Sequence, residues 1–236
     1  SSASGSSLEP YNIDLKKSIR RTNSLPDLNK YSSLNTNNVY VSKSHIFNDN
    51  DCHVYPKVKK LVAIGDIHGD LTVAIKSLKL AGVIPLSIPD NIRNIQKVNW
   101  TGKDIVVVQV GDQIDRVRPN KLYNNICIEE DCEIVEDEGS DLKIVCLFER
   151  LHSQALKEGG ALFSIYGNHE LMNVDGDFRY VSPKEFYEFG NFFNGSYEQN
   201  SEYPFGYKER LEAFKPGGPL SKRLALTRYS VIQIGS

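Results

Sequence analysis

The sequence predicts an α/β fold that contains at least one parallel sheet. Short apolar runs typical of buried strands recur along the chain, and each of four such runs ends in a glycine. Segments with apolar residues at helical spacing lie between some of these runs. Strands that alternate with helices favour a parallel sheet, because the helix returns the chain to the same end of the sheet.

The expected elements follow one another from residue 61 to residue 234, and none is predicted before them. Each strand is assigned from an unbroken apolar run, and each helix from apolar positions three or four residues apart. The predicted strands cover residues 61–64, 105–110, 161–166 and 229–234, and the predicted helices cover residues 71–80 and 142–156.

Residues 1–57 differ in composition from the rest of the chain. They are rich in serine and asparagine and have weak apolar periodicity, which predicts an arm that is disordered or lies on the domain surface. The domain itself is expected over residues 58–236. Within the arm, Arg21, Ser24 and Pro26 resemble a kinase site and a docking motif for phosphoserine-binding adaptors, and a solvated basic stretch is the alternative.

Composition and charge argue against several classes of protein. The 236 residues carry 28 basic and 30 acidic side chains, so a strongly basic nucleic-acid-binding protein is not indicated. No apolar stretch is long enough for a membrane span, and no signal peptide is visible. The four cysteines match no zinc-ribbon or C-x-x-C pattern, so we expect reduced thiols in the cytoplasm or another reducing compartment.

One segment, residues 129–141, is strongly acidic. Eight acidic residues and no basic residue lie between Glu129 and Asp141. The carboxylates lack the turn glycines that space the ligands of a calcium loop. The segment is therefore predicted to be a solvated surface loop in front of the second helix.

Polar residues that can bind metals follow three of the predicted strands directly. The segments are Gly65-Asp66-Ile67-His68-Gly69, Gly111-Asp112-Gln113-Ile114-Asp115-Arg116 and Gly167-Asn168-His169-Glu170. Each segment alone fits a turn or a helix cap. Three of them at the carboxyl ends of strands, where α/β sheets bind ligands, predict a shared site instead. Carboxylate, amide and imidazole groups suit manganese, iron or zinc, and the number of segments suggests two metals.

These three segments resemble the motifs of the metallophosphoesterase superfamily, and within it those of the phosphoprotein phosphatases, GD-x-HG, GD-x-x-DRG and GNHE. Further stretches are similar to the Shewanella-like protein phosphatases, namely residues 171–173, 176–181 and 214–220. The resemblance covers about residues 58–236. It implies an α/β/β/α sandwich of two mixed sheets flanked by helices.

The resemblance also implies a role for each site residue and two divalent metal ions, either manganese, iron or zinc. The metal ligands that it implies are Asp66, His68, the bridging Asp112 and Asn168. His169 resembles the general acid that protonates the leaving oxygen, and Asp115 resembles the carboxylate that orients its ring. Arg116 resembles the group that holds the phosphate oxygens. Glu170 is interpreted as a support for the ligands.

The sequence departs from the family pattern at two places. Val117 follows the Asp-Arg pair where the family has glycine, so the loop after Arg116 must differ if relatives use a positive φ there. The family also has two further histidine ligands, whereas no histidine follows His169 before Ser236. We therefore expect the domain to be incomplete at its C-terminus. The alternatives are a segment supplied by another chain and a non-catalytic relative.

The function implied by the resemblance is that of a metal-dependent phosphomonoesterase. It would be a serine/threonine or tyrosine protein phosphatase that hydrolyses phosphoproteins or phosphopeptides by in-line attack of a metal-bridging hydroxide. Two alternatives remain. One is a phosphate-binding scaffold without catalysis, and the other is a nucleotide or dinucleoside polyphosphate hydrolase with the same fold.

Overall fold

Strands and helices alternate along the described part of the chain. The computed structural model describes residues 53–119, 132–133, 137–198 and 201–235. Its strands are β1 (Val54–Tyr55), β2 (Leu61–Ile64), β3 (Val106–Gln109), β4 (Arg118–Pro119), β5 (Cys132–Glu133), β6 (Ala161–Ser164) and β7 (Gln233–Ile234). Its helices are α1 (Leu71–Ala81), α2 (Asp141–Lys157), α3 (Asn168–Val174), α4 (Pro183–Phe192), α5 (Tyr207–Phe214) and α6 (Pro219–Thr227).

The central sheet has three parallel strands in the order β2–β3–β6. Leu61 pairs with Val106, and Val106 pairs with Ala161. All residues of β3 and β6 are buried, which explains why both read as unbroken apolar runs rather than alternating ones. The α/β class and the three predicted strands of this sheet are confirmed.

The side chains of the central sheet alternate between two cores. Val107 and Leu162 face a core that includes the apolar residues of α1 and α2. Val106, Val108 and Phe163 face the opposite core. Because successive strand residues point to opposite faces, β3 and β6 are covered on both sides, whereas Leu61 and Ala63 of the edge strand β2 are exposed.

A second, two-stranded parallel sheet joins the two ends of the described chain. Strand β1 pairs with β7, with Val54 opposite Gln233. Tyr55 is buried, and its ring stacks on Phe163 with centroids 4.7 Å apart. Val54 and Tyr55 fall within residues 1–57, the expected arm. The rest of that arm up to residue 52, with the adaptor motif around Ser24, lies outside the described residues.

The strand expected over residues 229–234 is shorter in the structure. Only Gln233–Ile234 pairs as a strand, while Tyr229 forms an isolated parallel bridge to Ile165. Both of these pairings are parallel, as are those of the central sheet, whereas two mixed sheets were expected. The antiparallel β4–β5 pair stands apart from both sheets.

Helices α4, α5 and α6 form a further layer with its own core. Phe189, Phe192, Phe214 and Leu220 pack there together with Val145 of α2. This layer brings α5 beside the carboxyl end of the central sheet, where the predicted site lies. Among the described helices, none combines the length and apolar character that a membrane span requires.

Candidate metal and phosphate site

The three predicted site segments meet at one edge of the central sheet. Strands β2, β3 and β6 are parallel, so the loops that follow them emerge at the same edge. The backbone N–H groups of Ile67 and His68 both donate to the Asp112 carbonyl oxygen at 2.9 Å. The N–H of Gly69 donates to the Gln113 carbonyl at 2.9 Å. The loop after β2 is thus fixed to the loop after β3.

Glu170 joins the loop after β3 to the loop after β6. Its carboxylate accepts hydrogen bonds from the backbone N–H groups of Asp112, Gln113 and Gly167, at 3.0, 2.8 and 2.8 Å. Burial raises the pKa of Glu170, and these three donors oppose that rise. Glu170 therefore holds the segment that contains Asp112 against the start of α3.

Two glycines allow these loops to approach each other closely. A Cβ atom on Gly111 would lie 2.5 Å from the Gly167 nitrogen, and one on Gly167 would lie 2.0 Å from the Asp112 Oδ1. Gly111 also has a φ of 102°, which side-chain-bearing residues rarely adopt. Both positions therefore exclude any side chain, and the space beside Asp112 depends on them.

Three groups that can bind a metal converge at the centre of this edge. His68, Asp112 and His169 each offer one ligand atom, and these atoms lie within 4.8 Å of one another. The Asp66 Oδ2 lies 3.5 Å from the His68 Nε2. Nitrogen and carboxylate donors together are the set that manganese, iron and zinc accept. The chemistry of the residues therefore fits a divalent cation.

The predicted ligands differ in exposure. Asp112 is buried and His68 is half-buried, whereas Asp66 and Asn168 are exposed at the rim. The Asn168 Nδ2 lies 3.9 Å from the Met172 sulfur. The structure thus groups Asp66, His68 and Asp112 closely, and it places Asn168 at the start of α3 with its amide directed along the helix.

The buried side chains of His169 and Asp115 form a pair. The His169 Nδ1 lies 3.0 Å from the Asp115 Oδ2, and the His169 backbone N–H donates to the Asp112 Oδ1 at 3.0 Å. The His169 ring also contacts the rings of His68 and Tyr180, with centroids 4.7 and 4.8 Å away. These contacts fix the ring beside His68 and Asp112, the candidate metal ligands.

Arg116 lies at the edge of the same site. Its NH2 is 3.0 Å from the Asp70 Oδ2, and the Asp70 Oδ1 accepts the Val73 N–H at 2.8 Å as the N-cap of α1. The Arg116 backbone N–H donates to the Glu185 Oε2 at 3.2 Å. The guanidinium is therefore anchored to a helix start next to His68.

A charged cluster that the sequence interpretation missed lies behind Asp115. Arg210 of α5 forms ion pairs with Asp115 at 2.9 Å and with Asp141 at 2.8 Å, and its side chain is 0% exposed. Asn173 donates to both Asp115 oxygens at 3.0 and 2.9 Å. Asn173 lies four residues after His169, on the same helix face, which is a local signal that could have indicated it. No local signal marks Arg210.

The expectation of a solvated acidic loop is wrong for its last residue. Asp141 is 1% exposed at the first position of α2. Its Oδ1 accepts the Asp115 N–H at 3.3 Å, and Arg210 balances its charge. A run of like charges predicts solvation only on average, and a distant buried arginine reverses that prediction for one member.

One other expectation concerns the residue after Arg116, and a histidine of α2 also has a defined contact. Val117 is buried and does not have a positive φ, and its N–H donates to the Tyr180 carbonyl at 2.9 Å. The loop after Arg116 therefore accommodates a β-branched residue. His152 contacts the sheet instead of the site, because its Nδ1 accepts the Leu162 N–H at 3.3 Å.

The fold and this cluster together define an α/β protein whose candidate metal ligands lie at the carboxyl edge of a parallel sheet. Comparison with known sequences identifies the particular family. Residues 59–228 match the profile of the calcineurin-like phosphoesterases, and the chain belongs to that family. The resemblance noted in the sequence is thereby confirmed.

Several individual relatives are similar to this chain. It is 32% identical over 208 residues to Shewanella-like protein phosphatase 2 of Arabidopsis thaliana, covering 77% of this chain and 45% of the relative. It is 34% identical over 160 residues to Shewanella-like protein phosphatase 1 of Plasmodium berghei, covering 66% of this chain and 35% of the relative. The chain thus spans less than half the length of these relatives.

A solved structure is also similar. The cold-active protein-tyrosine phosphatase of a psychrophilic Shewanella species has 22% sequence identity and a TM-score of 0.45. The match covers 78% of this chain and 42% of that protein.

Proposed function

We propose that this chain contains the catalytic site of a metal-dependent phosphomonoesterase that acts on phosphoproteins. One observation carries the proposal. The His169–Asp115 pair, at 3.0 Å, lies against the group of His68 and Asp112, which can hold a metal. A proton donor beside a cation site is what phosphate ester hydrolysis requires, because charge must be neutralised on the phosphate and on the leaving oxygen.

Asp66, His68, Asp112 and Asn168 are the residues that would hold divalent metal ions. Buried Asp112 lies between the other segments, since it is bonded to the loop of His68 and to the start of α3. When bound, such cations acidify water and neutralise phosphoryl charge. The proposal includes two such ions, each of them manganese, iron or zinc.

His169 would protonate the leaving oxygen as the bond between phosphorus and that oxygen breaks. Its Nδ1 is held by Asp115, so the proton transfer falls to Nε2. Asp115 selects the ring orientation in which Nε2 is directed away from the buried side. An alkoxide is a poor leaving group, and this step therefore matters most for alkyl phosphates such as phosphoserine.

Arg116 would bind the phosphate oxygens. Its guanidinium lies at the edge of the site and is partly buried by Asp70, 3.0 Å away. A planar guanidinium can bind two phosphate oxygens while it retains a contact to a carboxylate. Glu170 would support the site through its three backbone hydrogen bonds, without contact to substrate.

The names of the relatives support a protein substrate. The curated relatives from Arabidopsis and Plasmodium are both named protein phosphatases. We therefore propose phosphoserine, phosphothreonine or phosphotyrosine peptides as the substrate class.

The test is hydrolysis of phosphopeptides by the full-length, manganese-loaded protein and its Asp112→Asn variant. The variant removes one carboxylate charge at the centre of the site, and we expect a loss of turnover of at least about a hundredfold. Asp104→Asn is the matched control, because Asp104 precedes β3 at the opposite end and pairs with exposed Lys59. Near-normal turnover by Asp112→Asn would overturn the proposal.

The same assay separates the two alternatives. A dinucleoside tetraphosphate that is hydrolysed in preference to every phosphopeptide would indicate a nucleotide hydrolase of the same fold. Phosphopeptide binding without turnover in the wild type would indicate a scaffold. Each of these results would replace the phosphoprotein phosphatase proposal.

A further inference from the structure

We propose that Arg210 of α5 is a positioning residue that orients the His169 imidazole through Asp115 and Asn173. This inference rests on the proposed function, since it gives Arg210 the role of orienting His169, the residue that would act as general acid. Arg210 is separated from His169 along the chain and touches neither the metal-binding group nor the phosphate-binding Arg116 in the contacts described above.

The guanidinium of Arg210 makes three directed contacts at once. Its Nε donates to the Asn173 Oδ1 at 2.7 Å, and its NH2 donates to the Asp115 Oδ1 at 2.9 Å and to the Asp141 Oδ2 at 2.8 Å. Only a planar fork with fixed donor directions satisfies such a set. Arg210 therefore defines the positions of Asp115 and Asn173 relative to each other.

Asn173 transmits this arrangement to the histidine. With its Oδ1 held by Arg210, its Nδ2 is directed to both Asp115 oxygens and to the His169 carbonyl at 3.0 Å. An amide that accepts on one side must donate on the other, so Arg210 also fixes which way the Asn173 amide is turned. Asp115 is thereby left with one orientation toward the His169 Nδ1.

Arg210 is itself held rigidly. Its Cζ lies 4.6 Å from the Phe189 ring centroid and 5.2 Å from that of Phe214. Aromatic faces attract a guanidinium and limit its rotation. Burial alone would lower the pKa of Arg210, but the carboxylates of Asp141 and Asp115 outweigh this effect and hold that pKa above its usual value. The residue is a fixed positive charge.

The charge of Arg210 also keeps Asp115 and Asp141 compatible. The carboxyl groups of Asp115, Asp141 and Glu185 are buried, and each offers an oxygen within 4.8 Å of the others. A buried cation that pairs with these groups offsets the repulsion between their charges and the cost of burying them. Arg210 forms ion pairs with both Asp115 and Asp141.

The experiment compares Arg210→Lys with wild type and with Arg223→Lys in the full-length protein. Lysine keeps the charge but loses the fork, so we expect the fold to be retained while the three-way contact is lost. Arg223→Lys makes the same change at a largely buried ion pair with Glu149, outside the site. Asn173→Ala is a second variant, which removes the relay without removing the charge and decides the question if Arg210→Lys does not fold.

The first readout is the far-downfield proton resonance of the His169 Nδ1–H, recorded at one pH on metal-free protein and assigned with His169→Gln. A proton held between imidazole and carboxylate gives such a resonance. We expect it in wild type and in Arg223→Lys, and we expect its loss in Arg210→Lys and Asn173→Ala. Retention of the resonance in both site variants overturns the inference, whatever the activity.

The second readout is the leaving-group dependence of kcat on manganese-loaded protein. Phenyl phosphate needs protonation of its leaving oxygen, whereas dinitrophenyl phosphate does not. General acid catalysis contributes about a hundredfold or more, so a misoriented His169 lowers kcat for phenyl phosphate about tenfold more than for dinitrophenyl phosphate. An equal fall for both substrates indicates a merely structural role and overturns the inference.

The two readouts separate this inference from the proposed function. If wild type hydrolyses neither substrate, the phosphatase proposal fails. In that case the loss of the Nδ1–H resonance in Arg210→Lys still supports Arg210 as the residue that orients His169. Retention of the resonance still overturns the inference about Arg210.

Discussion

Several individual site residues adopt a backbone conformation that is unfavourable for their type. His68, Asp112 and Asp115 have φ values of 49°, 52° and 72°. A residue with a Cβ atom is uncommon in this left-handed region and remains there only where the surroundings impose it. For His68 and Asp112 it is imposed by the hydrogen bonds between the loops after β2 and β3 and by the bond that the Glu170 carboxylate accepts from the Asp112 N–H, and for Asp115 by the bond of its N–H to Asp141.

Gly167 is the residue whose substitution is expected to damage the site most directly. In Gly167→Ala, the new Cβ atom would overlap the Asp112 Oδ1 and backbone nitrogen, at 2.0 and 2.2 Å. The Asp112 carboxylate must move, and overpacking of this kind lowers the free energy of unfolding by about 1–3 kcal/mol. We expect this loss in urea unfolding and a weaker binding of manganese in calorimetry.

Gly65→Ala is the matched control for this prediction. Gly65 follows β2 in the same way, but a Cβ atom there would meet nothing within 4 Å. We expect little change in the free energy of unfolding. If the two alanine variants were equally stable, the close approach of Gly167 to Asp112 would be contradicted.

At the scale of elements, α1 and the site share one side chain. Asp70 caps α1 through its Oδ1 and holds Arg116 through its Oδ2. In Asp70→Ala both contacts are lost, and the loss of an N-cap lowers the free energy of unfolding by about 1 kcal/mol. Thermal or urea unfolding measures this change.

Asp70→Asn separates the two contacts of Asp70. Asparagine caps a helix as well as aspartate does, but it has no charge for Arg116. We expect wild-type stability from Asp70→Asn, together with an altered KM for phosphate esters because Arg116 loses its anchor. A stability loss as large as that of Asp70→Ala would mean that the ion pair, and not the cap, stabilises α1.

The elements also show how far the sequence allows prediction. The strands β3 and β6 were predictable because parallel strands buried on both faces read as apolar runs, and the edge strand β2 was predictable because its four residues are all apolar. The site residues after them were predictable because they follow those strands directly. Arg210 and Asp141 were not predictable, since their ion pair joins α5 to α2 and depends on tertiary packing. The short β7 likewise depends on pairing with β1, in a part of the sequence with little apolar periodicity.

At the scale of the whole molecule, the layer of α4, α5 and α6 is joined to the sheet domain by buried polar contacts. Arg210 connects α5 to α2 and to the loop after β3. Glu188 of α4 connects to the start of α2, because its Oε2 accepts the Leu142 N–H at 3.1 Å. These contacts form only in the folded chain, so titration of the groups involved must change the stability of the whole molecule.

Glu188 provides the clearest case of this linkage. Burial, and then the neighbouring Asp141 carboxyl, raise the pKa of Glu188 from 4.5 to about 8. Between these two pH values the unfolded chain has released the proton while the folded chain retains it. The contribution of Glu188 to the free energy of unfolding is therefore fully present below about pH 4.5 and is lost as the pH rises to about 8.

We therefore expect Glu188→Gln to reduce the decline of stability with pH in that range. Glutamine keeps an oxygen for the Leu142 N–H but has no proton to release, so the variant gains stability relative to wild type as the pH rises. Urea unfolding of both proteins across the range measures the difference. Glu212→Gln, at an exposed glutamate paired with Lys215, serves as the control and should follow wild type. A parallel decline in wild type and Glu188→Gln would show that the Glu188 carboxyl is not protonated in the folded protein, and that other groups set the pH dependence.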